Sequence, residues 1–561
     1  MRKSRLAYIF LILLGVTTAI NCHNGSPLPE KAMVKKPEEM DDQISDNIKL
    51  ALSFAKENDG KINDSAALFL YHIVDAFYKE NDYHNIWSEN ESWKPLADSL
   101  IAFINSSKYS GLYPGDYHFD ELRQLQRRFY TDTLAKKDAI FWTKGELFLS
   151  DAFMRILKDL KEGRLLPDSN SIINNEMFVD SFFVMKLIEA KKINSVQPVF
   201  QSVEPNSPGY RDLKEALKQF VDSMDATHYV YLFYPQKDSV KFVKSLRERL
   251  SQSGITSKIS SLPDSVLLSE QIKEYQGKRK VKADGKITPK LIALLNSTDV
   301  EKFKRIAVTL DRYKALPSLP EKYVWVNLPA FFLKVVDSDT VVLTSKIIIG
   351  KPATPTPLII SKISDMVTYP VWTIPASIIK KDVLPGLKKD PGYLAKKGFS
   401  LLDYRGDSVN PYTVKWEKYK DEIPWKVQQG SGDDNALGIF KFNFRNVYSV
   451  YLHDTNQRYL FSNSNRALSH GCVRVQKWRE LAYYIAQNDS AAYAPGKKIP
   501  YDIDSIKIWV ANRSRKQIIV KNKMPLFIEY FTCEGKNDKV VFHEDIYDDD
   551  KMYAEKYFAN K

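Results

Sequence analysis

The run Tyr323-Val324-Trp325-Val326-Asn327-Leu328-Pro329-Ala330-Phe331-Phe332-Leu333-Lys334-Val335-Val336 reads as two short strands, Tyr323–Leu328 and Phe331–Val336, joined by a turn. Val, Trp, Tyr and Phe fit a pleated, half-buried surface better than a helix. Val341–Ile349 and Met366–Trp372 share that composition, and Arg305–Leu310 upstream reads the same way. Pro352, Pro355 and Pro357 punctuate a loop after Gly350. The region from 303 to 547 is therefore expected to be a mainly-β domain. It is interrupted by an insertion at about 376–429, helix-like at Ile378–Leu387 and rich in charge, with Trp416 and Trp425. Long insertions in such domains are more often functional than not.

Beyond the insertion, Asn435-Ala436-Leu437-Gly438 opens a strand pair, Ile439–Phe444 and Tyr448–Leu452, whose second member delivers His453. Ser469-His470-Gly471-Cys472-Val473-Arg474-Val475 follows, and then Trp478, Leu481, Ala482 and Ile485 at helical spacing. Cys472 is expected on a tight turn shortly before that helix. Backbone amides and the helix dipole would there favour a thiolate, the form that attacks a carbonyl. Gly471 allows the sharp turn that would aim amides at an oxyanion. A lone cysteine is more often a small buried hydrophobe. Against that stand a histidine two residues before it and another nineteen before it, in a chain with three cysteines. Cys533, in the strand-like Phe527–Cys533 run, reads as the buried thiol.

N-terminal to the β domain the pattern is helical. Residues 234–298 hold three short amphipathic segments: Val240–Leu250, a second containing Gln271–Gln276, and a third starting at Leu291. Asp284-Gly285 marks a turn before the third. Residues 46–233 are mostly amphipathic helix with no catalytic pattern, and His72, His84 and His118 read as structural. Residues 23–45 read as a flexible, mostly polar tether. Residues 1–22 combine a basic start (Arg2, Lys3, Arg5) with an uncharged run, Leu6–Ile20, as in a secretory signal. Cys22 follows in Thr18-Ala19-Ile20-Asn21-Cys22, a loose lipobox, and is a lipidation candidate. An exported protein of the cell envelope is expected. Residues 548–561 read as a solvated tail.

Length is enough for several domains: 561 residues, 44% hydrophobic, with 31 Tyr and 29 Phe. Lys+Arg of 82 against Asp+Glu of 69 gives a net charge of +13, spread along the chain rather than blocked. That suits an anionic neighbour, such as a wall polymer or membrane surface, and gives no footprint for nucleic acid. No spacing suggests a metal site, and no cofactor is expected.

His453 with Ser469-His470-Gly471-Cys472-Val473-Arg474 resembles the motif of the L,D-transpeptidases (YkuD type): a His, then Ser/Thr-His-Gly-Cys, a variable residue and Arg or Asn. "RIAVTLDRYKALP", "YVWVNLPAFFLKVV" and "IIIGKPATPTP" resemble the family's catalytic β-sandwich. Tyr369-Pro370-Val371-Trp372-Thr373-Ile374-Pro375 resembles its Asn-Pro-x-Trp-x-Val-Pro strand, with Tyr369 in place of Asn. "FYKENDYHNIWSENESW" resembles the helical scaffold of the large Gram-negative members, and residues 234–298 their three-helix peptidoglycan-binding module.

The resemblance implies an α+β multidomain chain whose catalytic domain carries a lid. Cys472 would be the nucleophile and His453 the base, its tautomer set by the Asp454 carbonyl. Amides around His470, Gly471 and Cys472 would form the oxyanion hole, in a loop with Ser469 and Asp454, and Arg474, Asn435 and Tyr451 would bind substrate. The partners would be peptidoglycan stem peptides and glycan. A tetrapeptide donor would lose D-Ala and cross-link through its third residue; with water as acceptor the result would be L,D-carboxypeptidase activity. A papain-like hydrolase has the wrong order and spacing of Cys and His. A non-catalytic wall-binding scaffold is the remaining alternative.

Overall fold

The computed structural model describes residues 27–63, 66–165, 180–256, 263–494 and 497–558. The signal-like stretch and Cys22 lie outside the described residues. The chain divides into two compact units, one drawn from residues up to 105 with 114–157 and 178–200, the other from 106–113, 158–177 and 201–561.

The first unit is helical: α1 (Met40–Glu57), α2 (Tyr71–Glu80), a small hairpin of β1 (Ser88–Glu89) and β2 (Ser92–Trp93), α3 (Pro95–Ser106), α4 (Phe119–Thr131), α5 (Ala139–Lys161), α6 (Asp180–Ile193) and α7 (Gln197–Val203). Buried residues on several faces, among them Trp142, Leu149, Phe153 and Leu157, make α5 the core helix. Two of its buried carboxylates fasten the loops around it. Glu146 accepts the amides of Ile86, Trp87 and Ser88 at 2.8, 2.9 and 2.8 Å. Asp151 accepts those of Phe69 and Leu70 at the start of α2, at 3.0 and 2.7 Å, and His118 Nε2 lies 2.7 Å from it. His118 therefore has a structural partner.

The tether expectation is corrected here. Val34 N donates to Lys137 O and Ala139 N to Ala32 O, and α1 begins at Met40 with Met40, Ile44 and Ile48 buried. Polar residues on the outer face of α1 hid that apolar stripe.

The second unit begins its described helices with α8 (Pro208–Ser223). Then α9 (Ser239–Gln252), α10 (Asp264–Lys278) and α11 (Pro289–Asn296) share a small core of Phe242, Leu246, Ile272, Tyr275, Leu291 and Leu295. Asp238 caps α9 and Thr288 caps α11. Gln276 and Asp284-Gly285 are tied: Gln276 Nε2 donates to Asp284 Oδ1, and Gly285 N to Gln276 Oε1, both at 2.9 Å.

Arg305–Leu310 is not a strand. It lies within α12 (Asp299–Lys314), capped by Thr298, with Phe303, Ile306, Ala307 and Leu310 on its buried side. Ile306, Val308 and Leu310 also satisfy a strand's period of two, so a six-residue window could not separate the readings.

The main strands of the β domain are β3 (Lys322–Asn327), β4 (Phe332–Asp337), β5 (Thr340–Gly350), β6 (Ile359–Thr368), β10 (Phe440–Phe444), β11 (Leu452–His453), β12 (Ala467–Ser469), β13 (Val473–Val475) and β14 (Lys516–Glu529). They form one sheet in the order β12-β5-β13-β11-β10-β6-β14-β3-β4. The mainly-β domain is built from one sheet folded back on itself, because β5 pairs with β4 through its first half and with β13 and β12 through its end. Ile347, Ile349, Phe440, Phe442, Leu452, Val473 and Val475 lie in the core it encloses, with Trp478, Leu481 and Ile485 of α16 (Trp478–Ser490).

The insertion folds around its own core of Ile374, Val383, Leu384, Leu387, Leu401, Trp416 and Val427. It holds a sheet ordered β7 (Trp372–Thr373), β9 (Lys426–Gln429), β8 (Phe399–Leu402). Beside the sheet run α13 (Ala376–Ile378), a π-turn at Ile379–Val383, α14 (Leu384–Lys389) and α15 (Tyr393–Lys396). The unit closes with α17 (Ile503–Ala511), the hairpin β15 (Cys533–Lys536) and β16 (Lys539–Phe542), and α18 (Asp549–Phe558). The expected solvated tail is therefore corrected as well. Asp549 and Asp550, in the first turn of α18, accept from Arg312 Nη2 at 2.5 and 3.2 Å, and Tyr553 and Phe558 are buried.

Candidate active site

Three short strands set the site. Lys441 of β10 pairs in register with His453 of β11, and His453 pairs with Arg474 of β13. Side chains directly opposite on neighbouring strands share a face. Lys441, His453 and Arg474 thus form one row, while Phe440, Phe442, Leu452, Val473 and Val475 are buried on the core side. Cys472 immediately precedes β13 and is half-buried. Its Sγ lies 4.0 Å from the carbonyl oxygen of Ser449, a residue held at φ +57°. A non-glycine residue there carries backbone strain.

The turn is braced from several sides. Gly471 has φ +120°, a conformation an L side chain rarely adopts. Ser469 Oγ donates to Cys472 O at 2.6 Å and accepts from Gly471 N at 3.1 Å. Thr356 Oγ1 donates to Gly471 O at 2.8 Å and accepts from Gly350 N at 2.9 Å. Lys351 N donates to Ser469 O at 3.0 Å. Tyr547 Oη donates to Gly350 O at 2.7 Å, fixing the proline loop that holds the turn. Thr356 and Tyr547 were not foreseen, because no local pattern links residues so far apart in the chain.

This bracing narrows the oxyanion expectation to the Cys472 amide. The Gly471 amide is already committed to Ser469, whereas the Cys472 amide meets no acceptor among the described residues. His470 is exposed, and its Nε2 lies 2.9 Å from Asp382 Oδ2 in the insertion. It joins insertion to turn. The helix-dipole expectation also fails, because strand β13 separates Cys472 from the start of α16 at Trp478. A helix dipole acts within its first turn.

His453 is buried, and its Nδ1 has no hydrogen-bond partner. Burial, with the cations Arg474 and Lys441 beside it, holds the imidazole down to about 3; the Asp454 and Leu437 carbonyls oppose this only in part. His453 is therefore neutral at pH 7. The Asp454 carbonyl does not meet Nδ1 at hydrogen-bond geometry. The Asp454 carboxylate instead accepts from Ile439 N at 3.1 Å and from Arg458 Nη2 at 2.5 Å. A Cβ at Gly438 would come 2.3 Å from that carboxylate, so only glycine lets the chain pass there.

Burial pushes the Cys472 thiol up. Hydrogen bonding from the Tyr451 amide and hydroxyl, and the charges of Lys441 and Arg474, pull it back. Tyr451 Oη is itself raised, by burial first and then by the sulfur's charge. Arg474 Nη1 donates to Gln457 Oε1 at 3.1 Å, Nε has no partner, and no carboxylate pairs with the guanidinium among the described residues. It remains available to a carboxylate ligand.

Asn435, expected to bind substrate, is instead buried and committed. Its Nδ2 donates to the carbonyls of Pro370, Gln429 and Gly430 at 3.2, 3.3 and 2.8 Å, and its Oδ1 accepts from Leu437 N at 2.8 Å. It ties the end of the insertion to the start of β10. The structure thus gathers Cys472, Tyr451, Arg474 and His453, with the unforeseen Lys441, and assigns Asn435, Ser469 and Asp454 to the frame.

The L,D-transpeptidase catalytic domain model (YkuD) matches residues 321–500, and the Scaffold domain model matches residues 72–217. A Haemophilus influenzae protein named "Putative L,D-transpeptidase" is 33% identical over 249 residues, which are 44% of this chain and 48% of that protein. The chain spans about half the length of this curated relative. The catalytic match runs from the start of β3 to beyond α16 and contains His453, Cys472 and the whole insertion. Residues 321–500 therefore form an L,D-transpeptidase catalytic domain (YkuD), preceded along the sequence by a Scaffold domain.

Proposed function

We propose that the chain is a cysteine-dependent L,D-transpeptidase of the cell envelope that joins peptidoglycan stem peptides through their third residues. The observation that carries this reading is the half-buried Cys472 thiol on a braced turn, beside the His453–Arg474 row and a guanidinium with no carboxylate of its own. The Cys472 thiolate attacks the carbonyl carbon of the donor's third residue. The amide of Cys472 receives the developing oxyanion. The C–N bond to the terminal D-Ala breaks, the departing nitrogen takes a proton from water, and a thioester is left on sulfur. An amine of a second stem then attacks the thioester. The neutral imidazole of His453 relays to solvent the proton that amine releases, taking it on one ring nitrogen as the other gives one up, and the thiolate leaves. Arg474 holds a stem carboxylate bidentately.

The insertion serves as a lid, tethered to the turn through Asp382 and His470. Residues 234–298 serve as the wall-binding module, and the N-terminal segment directs export, with Cys22 the lipidation candidate. Because Cys472 is partly open to water, hydrolysis of the thioester is the competing outcome and would make the chain an L,D-carboxypeptidase.

Incubation with disaccharide-tetrapeptide, followed by mass spectrometry, tests the reading. A dimer lacking one D-Ala, absent with Cys472→Ala, supports it. D-Ala loss without dimer assigns the carboxypeptidase instead. Neither product would point to a non-catalytic wall-binding scaffold.

A further inference from the structure

His453 is badly placed to carry the positive charge that a cysteine thiolate needs nearby. It is buried, and its cross-strand neighbours on both sides, Lys441 and Arg474, are cations. A protonated imidazole would stand between two like charges with little water to screen them. The counter-charge has to come from another group.

Lys441 is such a group. Its Nζ lies 3.9 Å from the centroid of the Tyr451 ring, and the Tyr451 hydroxyl in turn faces the sulfur. The side chain is half-buried and has no carboxylate partner among the described residues. Asp365 of β6, the acid acting on it, is itself occupied by Asn443 Nδ2 at 2.7 Å and Ser364 Oγ at 2.9 Å. A half-buried ammonium without an anion is costly unless a negative charge forms beside it.

We propose that Lys441 is a positioning residue for the nucleophile: held over Tyr451, its ammonium supplies with Arg474 the positive field that keeps Cys472 as a thiolate, and His453 stays neutral to move protons. On ionisation the S–H bond breaks, its electron pair stays on sulfur and the proton passes to solvent. The groups that face this assembly are Arg474 on β13, Tyr451 before β11, Asp365 on β6, His453 on β11, and Tyr459, which faces Arg474. Asp382 of the insertion is paired with His470. The inference rests on reading Cys472 as the acylated nucleophile, but its test needs no donor peptide.

The experiment is the pH dependence of Cys472 alkylation by iodoacetamide on the intact chain, followed on the Cys472 peptide by mass spectrometry. Lys441→Met is expected to move the inflection up by about one pH unit and to slow alkylation below it about tenfold. Lys441→Arg is expected to restore both, since it keeps the charge, and His453→Gln is expected not to raise the inflection. Lys441→Gln replaces the Met variant if circular dichroism shows that variant unfolded. An unmoved inflection in a folded, charge-free variant overturns the proposal, and so does a raised inflection in His453→Gln. If the inflection moves as expected while no D-Ala is released from tetrapeptide, Lys441's role stands and the acyl-transfer reading fails. If cross-linking is robust and the inflection does not move, Lys441's role alone fails.

Discussion

Cys472 and Cys533 stand in the same domain, each beside a short strand, and burial raises both thiols. Cys533 opens β15 fully buried, with the Thr532 hydroxyl at 3.8 Å, and is pushed up to about 12. Arg305 opposes that rise, while Asp550 adds to it. At Cys472 no acid adds to the rise. The Tyr451 amide and hydroxyl, Lys441 and Arg474 all act against burial, and the sulfur is partly open. The difference teaches that burial alone makes a cysteine inert. Facing donors and cations, with access, favour the reactive thiolate.

The largest expected effect follows directly from that contrast. Cys472→Ala should lower D-Ala release by at least about a thousandfold, a loss expected when a covalent nucleophile is removed. Cys533→Ala should leave turnover unchanged and destabilise the fold by about 1 kcal/mol, through the small cavity it opens. Parallel turnover assays and thermal melts check the pair. Comparable losses of turnover in both variants would erase the distinction between the thiols.

Next in size is His453→Gln. Turnover should fall about 10²–10⁴-fold as the proton relay is lost. The same substitution should change stability against pH. In the unfolded chain histidine takes up a proton near its ordinary 6.5, and in the fold only near 3. Between those values the unfolded state binds more protons, so stability falls as pH drops through the window. Denaturant titrations should show a smaller drop in His453→Gln than in the parent chain.

Arg474→Met should cost about 10- to 100-fold in kcat/KM for a carboxylate-bearing donor, the worth of a charge-assisted pair. It should cost far less for a donor with that carboxylate amidated. Equal losses with both donors would show that the guanidinium only braces Gln457.

Much of this site was legible in the sequence because its chemistry is local. Ser469 to Arg474 are consecutive in the chain, and His453 follows the run Tyr448–Leu452, whose apolar alternation is visible although only Leu452–His453 pairs as a strand. Lys441 was not legible: it becomes a neighbour of His453 only through the register of β10 on β11, which no spacing in the chain specifies. Asn435 misled for the opposite reason. A polar residue at a loop mouth looks like a ligand contact until its amide is seen spent on three carbonyls. In the fold, the strand run at Tyr323–Val336 and the three helices of 239–296 matched their patterns. Arg305–Leu310 and the acidic C-terminal stretch did not, because alternating apolar residues and clustered aspartates are each compatible with a helix once tertiary partners such as Arg312 are supplied.

Two smaller effects complete the series. Asn435→Ala should lower stability by about 1–3 kcal/mol, since buried carbonyls and an amide lose their partner, with the thiol's alkylation profile unchanged. Asp382→Asn should alter stability by less than about 0.5 kcal/mol, because its pair with His470 is solvent-exposed. Faster proteolysis of the insertion in that variant would show that the pair holds the insertion to the turn.

The central claim is that the acyl group rests on Cys472. Mixing the chain with tetrapeptide donor, quenching in acid within one turnover and mapping the adduct by mass spectrometry tests it most directly. The account predicts a Cys472 peptide heavier by the donor less D-Ala, absent in Cys472→Ala and abundant in Cys533→Ala. Continued D-Ala release with no adduct on Cys472, or release that persists in Cys472→Ala, would contradict it.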